Sequence, residues 1–409
     1  MADLVFAFDP ALDRPLPVPE SASPAVAETI GGAVPAAFAA AVATAASGRA
    51  AALVLLGRVL DPLRASPAQA AALRRHVTAL ADAGCRTVVV ADGTAACHDL
   101  ARMLGEPAGL CFVTPLAGCE FDVRGIAVEI VSAHGPLAAT APVVSAGLRR
   151  RIVVGCDAEP VPVRGRSDAA ADARIADPFA FAVDAAPAWA HPGSFWVWGS
   201  RRRRPLPPGV HALAALQAGD PLEAGPGCCA ALAVLDRATT DAGPSGPLSD
   251  WRGSWREIPT HRVAWRTLSI ESPAGGDEEL ATAIWSALGS RPEQPTAALE
   301  VVRVAVACGT SVARRVRVAE IAAETLARLR QLHDPQASRI WVRDLVADPH
   351  ESLAPLGHER SGGRPGTTTS FSSALADIVA RLETAAGPHR EADPAREAGW
   401  LALELVEAI

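Results

Sequence analysis

The segment from Ala51 to Gly93, "AALVLLGRVLDPLRASPAQAAALRRHVTALADAGCRTVVVADG", admits few folds. Two short apolar runs, residues 52–56 and "RTVVV", flank a helical stretch. Ser66 is placed to cap that helix and Pro67 to open it, Leu73, Val77 and Leu80 fall on one face, and Gly84 ends it. Strand, helix and strand joined by short loops form a βαβ unit, which implies parallel pairing. A parallel sheet is covered on both faces, so its strands read as unbroken apolar runs. "DLVFAF" (3–8) is another such run, ending at Asp9-Pro10. Further strands are expected at 110–113, 126–131, 151–155 and 195–198. In open α/β sheets, sites form beyond the carboxyl ends of the strands. Those ends deliver Asp9, Arg58, Asp92, Cys156-Asp157 and Gly199-Ser200.

After about residue 262 the pattern shifts to a β-α-β-α-β module: "VAWRTLSIES", "DEELATAIWSALGS", "ALEVVRVAVACG", "RVAEIAAETLARLRQL" and "RIWVRDLVA". The expected organisation is a core over 1–262, a small α+β cap over 263–348, a Gly/Ser/Thr/Pro-rich linker over 349–370 and C-terminal helices over 371–409. Phe371, Leu375, Ile378 and Leu382 share one helical face. These helices either pack on their own body or dock on a partner helix or coiled coil. The Trp-rich segment 251–265 reads as a β-hairpin between core and cap.

A net charge of -7 argues against binding nucleic acid through an overall positive field. Any such contact must come from local clusters, "LRRR" (148–151) and "GSRRRRPLPPG" (199–209), which either touch DNA phosphates or are simply solvated. The chain has no Lys, Asn or Tyr, so a lysine Schiff base, a P-loop lysine, a tyrosine acid and an asparagine ligand are excluded. Its 8 cysteines include no Cys-x-x-Cys and read as small core residues in a reducing compartment. "MADLVFAFDP" lacks the features of a signal peptide, and the Ala-rich run 33–46 reads as a core helix too short to span a bilayer. A cytoplasmic protein with no membrane partner is expected. "CHD" (97–99) suggests a triad, but sequence neighbours rarely face one another, and His98 reads as a surface or helix-start residue. The histidines elsewhere show no metal-ligand spacing.

Several segments taken together resemble a known family. "FAFDPALDRPL" resembles the opening of SbcD-type nucleases, where a strand runs into Asp-x-His-Leu-Asp. "LVLLGRVLDPLRASPAQAAALRRHVTAL" resembles their strand-Gly-Asp-x-x-Asp motif and its helix. "GCRTVVVADGTAACHDL" sits where Gly-Asn-His-Asp closes the next strand, and "FWVWGSRRRRPL" resembles the late strand leading into Gly-His-x-His. "WRTLSIES" through "WVRDLVA" is similar to the family's capping domain. The parent class is the calcineurin-like metallophosphoesterases. The resemblance implies an α/β fold: a two-sheet sandwich flanked by helices, with a small α+β capping domain and a helical C-terminal tail.

Carried over residue by residue, the resemblance keeps the fold and loses the metals. Asp9 alone matches a family ligand. Ala11 replaces the first histidine, and Arg58 replaces the metal-bridging aspartate. Ala91-Asp92-Gly93 fills the third motif, with His98-Asp99 displaced; Cys156 or Asp157 takes the mid-domain histidine's place, and the late histidines fall at Ser200 to Arg202. A two-metal centre needs several anionic or imidazole ligands to offset the repulsion of its cations. A guanidinium about 4 Å from a divalent ion opposes binding by several kcal/mol even at an effective dielectric of about 20. Arg58 is instead expected to occupy the vacated position and pair with Asp9, Asp61 or Asp92.

The resemblance therefore implies a catalytically degenerate protein acting as a binding or scaffold subunit in DNA repair or processing, with no cofactor. Its vestigial site positions are Asp9, Arg58, Asp61, Asp92, His98, Asp99 and Asp157, and its DNA-phosphate candidates are Arg201, Arg202, Arg203 and Arg204. Implied partners are an SMC-like, SbcC-type ATPase engaging the C-terminal helices, DNA, and a second copy of the chain. The alternative is an active metal-dependent exonuclease or phosphoesterase, with Mn or another divalent metal at a rearranged site of Asp9, Asp92, His98, Asp99 and Asp157. A third reading is a stand-alone folded protein with no nucleic-acid role.

Overall fold

The computed structural model describes residues 2–90, 94–134, 149–156, 194–201, 206, 209–219, 227–234, 253–271, 277–289, 297–307, 319–331 and 339–347. The chain divides into two compact units, the first running to Ala264 and the second taking up at Trp265. The linker 349–370 and the helices 371–409 lie outside the described residues. The described elements make a mixed α/β fold.

In the first unit, β1 (Leu4–Phe8), β2 (Ala52–Leu56), β3 (Arg86–Val90) and β4 (Leu110–Val113) pair in parallel. Two antiparallel strands, β10 (Cys228–Val234) and β11 (Gly253–Pro259), extend the sheet beyond β1, giving the order β11-β10-β1-β2-β3-β4. A second sheet holds β5 (Cys119–Val123), β6 (Ile126–Ser132), β7 (Arg149–Cys156), β8 (Ser194–Gly199) and β9 (Val210–Leu213) in sequence order. Its first pair is antiparallel and the other three are parallel.

Period-two alternation decides which side chains meet. Leu4, Phe6 and Phe8 of β1, with Ala52, Val54 and Leu56 of β2, enter a core shared with Val128, Ile130, Ile152, Val154 and Val197 of the second sheet. Val5, Ala7, Leu53 and Leu55 point the other way, into a second core under the helices. Both faces of the central strands are thus buried, which is why they read as continuous apolar runs.

The outer layer consists of α1 (Pro24–Gly48), α2 (Pro67–Asp82) and α3 (Thr94–Leu104). In α2, Ser66 and Gln69 form a capping box, and Leu73, Val77 and Leu80 are the buried face. The Ala-rich run 33–46 is only part of α1, whose N-terminus lies at the Ser23 cap and Pro24. At 25 residues and mean hydropathy 1.6, α1 is long and apolar enough to cross a membrane, so the expectation of a run too short to span is corrected. Gly31, Gly32 and Pro35 hid its first turns in the sequence. One face of α1, Ile30, Ala33, Ala37, Phe38, Ala41 and Ala45, is buried in this fold.

The second unit is the β-α-β-α-β module: β12 (Val263–Glu271), α4 (Asp277–Gly289), β13 (Leu299–Ala307), α5 (Ala319–Gln331) and β14 (Ile340–Ala347), with sheet order β12-β13-β14. Leu280, Ile284 and Leu288 of α4 and Leu329 of α5 share a core with Val302, Val304 and Val306 of β13. The Trp-rich segment does not form the expected hairpin. β11 pairs with β10 and β12 lies in the three-stranded sheet, while Trp255 packs on the inter-sheet core beside Phe6 and Phe195.

Candidate functional site

The carboxyl ends of β1, β2 and β8 bring three charged side chains together. Asp9 follows β1, Arg58 follows β2 and Gly57, and Arg201 follows β8 and Ser200. β1 and β2 lie side by side, and β8 reaches the site from the other sheet. The two sheets touch here: Phe8 bridges Ala215, and Leu216 N donates to Phe8 O at 2.9 Å.

A steric lock lies beneath the charges. A Cβ on Gly57 would fall 2.9 Å from Phe8 Cε2, and one on Gly199 would fall 2.4 Å from Phe8 Cδ2. The Phe8 ring therefore occupies space that only two glycines leave open. Gly57 also has φ +72°, a conformation that favours glycine. Above the ring the backbone turns sharply: Asp9 has φ 51° and Ala11 φ 42°, unusual for residues with a side chain. Asp9 N donates to Leu56 O at 2.8 Å and Ala11 N to Arg58 O at 2.8 Å, so strand-like bonds fix this turn against β2.

Asp9 is 7% exposed. Arg201 Nε donates to its Oδ2, and Arg58 Nε lies 3.8 Å from its Oδ1. The side chains of Arg58 and Arg201 are 17% and 24% exposed, so the cations form the outer wall of the cluster and the carboxylate its floor. A carboxylate so buried needs compensation, which two guanidiniums supply. Of the three partners expected for Arg58, Asp9 is the one it reaches among the described residues.

The other candidates go elsewhere. Asp61 N donates to Asp13 Oδ1 at 3.2 Å, and the Asp61 carboxylate accepts from Leu63 N and pairs with Arg64 at 3.7 Å. His98 and Asp99 lie on the exposed face of α3, where Asp99 pairs with Arg102 at 2.6 Å. Cys97 is buried on the opposite side, so "CHD" forms no triad. The helical twist that separates adjacent residues is the reason. Asp92, Asp157, Arg202, Arg203 and Arg204 lie outside the described residues. Within the "LRRR" cluster, Arg151 is 4% exposed on β7 and pairs with Glu129 directly across on β6 at 2.9 Å.

Arg201 is where sequence reasoning fell short. The sequence places Arg201 among the DNA-phosphate candidates with Arg202, Arg203 and Arg204; in the structure its guanidinium turns onto Asp9. The available signal was its position, directly after the Gly199-Ser200 end of β8.

Among the described residues, no group of three or more His, Cys, Asp or Glu side chains is placed to hold a metal ion. Asp9 is faced by the guanidiniums of Arg58 and Arg201. The described charges around Asp9 form a buried ion cluster. No protein-family model matches the chain, and no curated protein matches it.

Proposed function

We propose that this chain is a catalytically degenerate relative of the SbcD-type nucleases, built on the calcineurin-like metallophosphoesterase sandwich and acting as a binding or scaffold subunit in DNA repair or processing. One observation carries the reading: Arg58 and Arg201 both engage Asp9, at the strand ends where the resemblance would put metals. Two fixed guanidiniums on the one matching ligand replace metal charge with protein charge. The sheet arrangement supports the same reading, because two mostly parallel sheets share a core and converge at these strand ends.

The chain works in the cytoplasm and needs no cofactor. Its partner is an SMC-like, SbcC-type ATPase that receives the C-terminal helices, and a second copy of the chain completes the assembly. With Arg201 engaged by Asp9, the DNA-phosphate contacts fall to Arg202, Arg203 and Arg204. The test is elemental analysis of the purified protein together with its melting temperature before and after Mn is added. Absence of stoichiometric metal, an unchanged melting temperature and co-purification with an ATPase are expected. Stoichiometric Mn or Zn with a raised melting temperature overturns the proposal in favour of an active metal-dependent phosphoesterase.

A further inference from the structure

The two sheets of the first unit meet at their edges as well as at the charged site. β4 is an edge strand of one sheet and β5 an edge strand of the other. The chain crosses between them through a turn closed by Thr114 and Ala117, with Thr114 N to Ala117 O at 2.9 Å and the reciprocal bond at 3.3 Å. Cys111 on β4 and Cys119 on β5 stand on either side of this turn and pack on the same inter-sheet core. Cys119 is 9% exposed, while Cys111 is half-buried and reachable from solvent. Arg86, exposed at the start of β3, donates from Nη1 to Glu120 O at 3.5 Å, which holds its guanidinium beside β5.

These neighbours divide the labour between the thiols. A hydrogen bond from Cys119 favours the Cys111 thiolate; partial burial opposes it and the Arg86 charge assists, drawing the Cys111 pKa below its usual value. Cys119 keeps its proton, raised first by that same hydrogen bond and then by burial. Burial pushes Cys85, Cys228 and Cys229 up to about 11, 12 and 11. Among the described cysteines, Cys111 combines access with thiolate character.

We propose that Cys111 is a hydroperoxide-reactive thiol and that Cys119 resolves it to an intramolecular disulfide. This site is separate from the Asp9 cluster and does not rest on the function proposed above. The Cys111 thiolate attacks one oxygen of hydrogen peroxide or an alkyl hydroperoxide. The O–O bond breaks, the departing oxygen takes a proton to leave as water or alcohol, and Cys111 becomes a sulfenic acid. Cys119 sulfur then attacks Cys111 sulfur, its thiol proton joins the departing hydroxide as a second water, and the S–S bond forms. The peroxide gains two electrons and the two thiols are oxidised to one disulfide. A dithiol reductant reopens the bond by exchange.

The full-length protein reports the outcome directly by mass. Trypsin releases Met103–Arg124, a peptide containing Cys111 and Cys119 and no other cysteine. After a stoichiometric pulse of hydrogen peroxide and alkylation, this peptide should appear unalkylated and lighter by two hydrogens, a change distinct from oxygen addition at Met103. In Cys119→Ser, a dimedone adduct on Cys111 should replace the disulfide. Cys111 should be alkylated faster than Cys85 and Cys229, and Arg86→Gln should slow it and move its pH midpoint upward. A wild-type peptide that keeps both thiols after the pulse, with Cys111 alkylated no faster than Cys85 or Cys229, overturns the proposal.

Discussion

Replacing Arg201 by alanine removes the donor that sits on Asp9 Oδ2 and leaves the carboxylate to Arg58. Breaking a fully buried ion pair destabilises by about 3–5 kcal/mol. Two features reduce that figure. Arg201 is itself 24% exposed, and Arg58 remains 3.8 Å from Oδ1, where an effective dielectric of about 20 still gives roughly 4 kcal/mol of attraction. A loss of about 2–3 kcal/mol is expected, which lowers the melting temperature of a unit this size by roughly 4–12 °C. The diagnostic step is a cycle. Arg58→Ala with Arg201→Ala should cost more than the sum of the single changes, because only the double variant strands the charge. Asp9→Asn should destabilise the native protein yet stabilise the double-alanine variant by about 2 kcal/mol, since a neutral amide is cheaper to bury than an unpaired carboxylate. Differential scanning calorimetry of the native protein and these five variants measures each term. If the double variant melts within a degree or two of the native protein, or Asp9→Asn fails to reverse sign, the buried ion cluster is not what holds this end of the fold.

Three further outcomes follow from the same geometry. Gly199→Ala drives a methyl to 2.4 Å from the Phe8 ring and should destabilise by about 1–3 kcal/mol, with Phe8→Leu restoring much of the loss in a thermal melt. Glu129→Gln removes the partner charge of Arg151, whose side chain is 5% exposed, and should lower stability by about 3–5 kcal/mol, read by the same melt. Burial lowers the pKa of His211 from 6.5, so the unfolded chain binds its proton first. The stability it contributes is complete above pH 6.5 and falls as the pH drops below that value, and His211→Phe should flatten this part of the melting temperature against pH.

The parallel sheet was legible because β1 to β3 are buried on both faces, and chains of Leu, Val and Phe bounded by capping signals leave little choice. Ser66 and Pro67 announced α2 through chemistry local to the chain, and the structure adds Gln69 as the partner in its capping box. The first turns of α1 were not legible, because glycines and a proline weaken a helical pattern that tertiary burial sustains. Pairing across long separations was the other blind spot. β10 and β11 join β1 from more than two hundred residues away, and no local signal marks them as its neighbours. The same holds at the site. Asp9 and Arg58 follow adjacent strands of one sheet, so their meeting was open to inference, whereas Arg201 arrives from the other sheet. Its run of four arginines reads as uniform in sequence, and nothing in it marks the first as the partner of buried Asp9.

The Phe8 ring seated against Gly57 and Gly199 has a consequence for what this scaffold tolerates. It works as a mechanical register pin, set by shape alone and indifferent to charge. The strand ends keep their spacing through carbon contacts and backbone bonds one layer below the polar groups. Exchanging the charges above therefore costs the stability of the ion cluster, while this steric lock on the strand ends remains. Positions 9, 58 and 201 stand on a mount fixed by shape one layer below them.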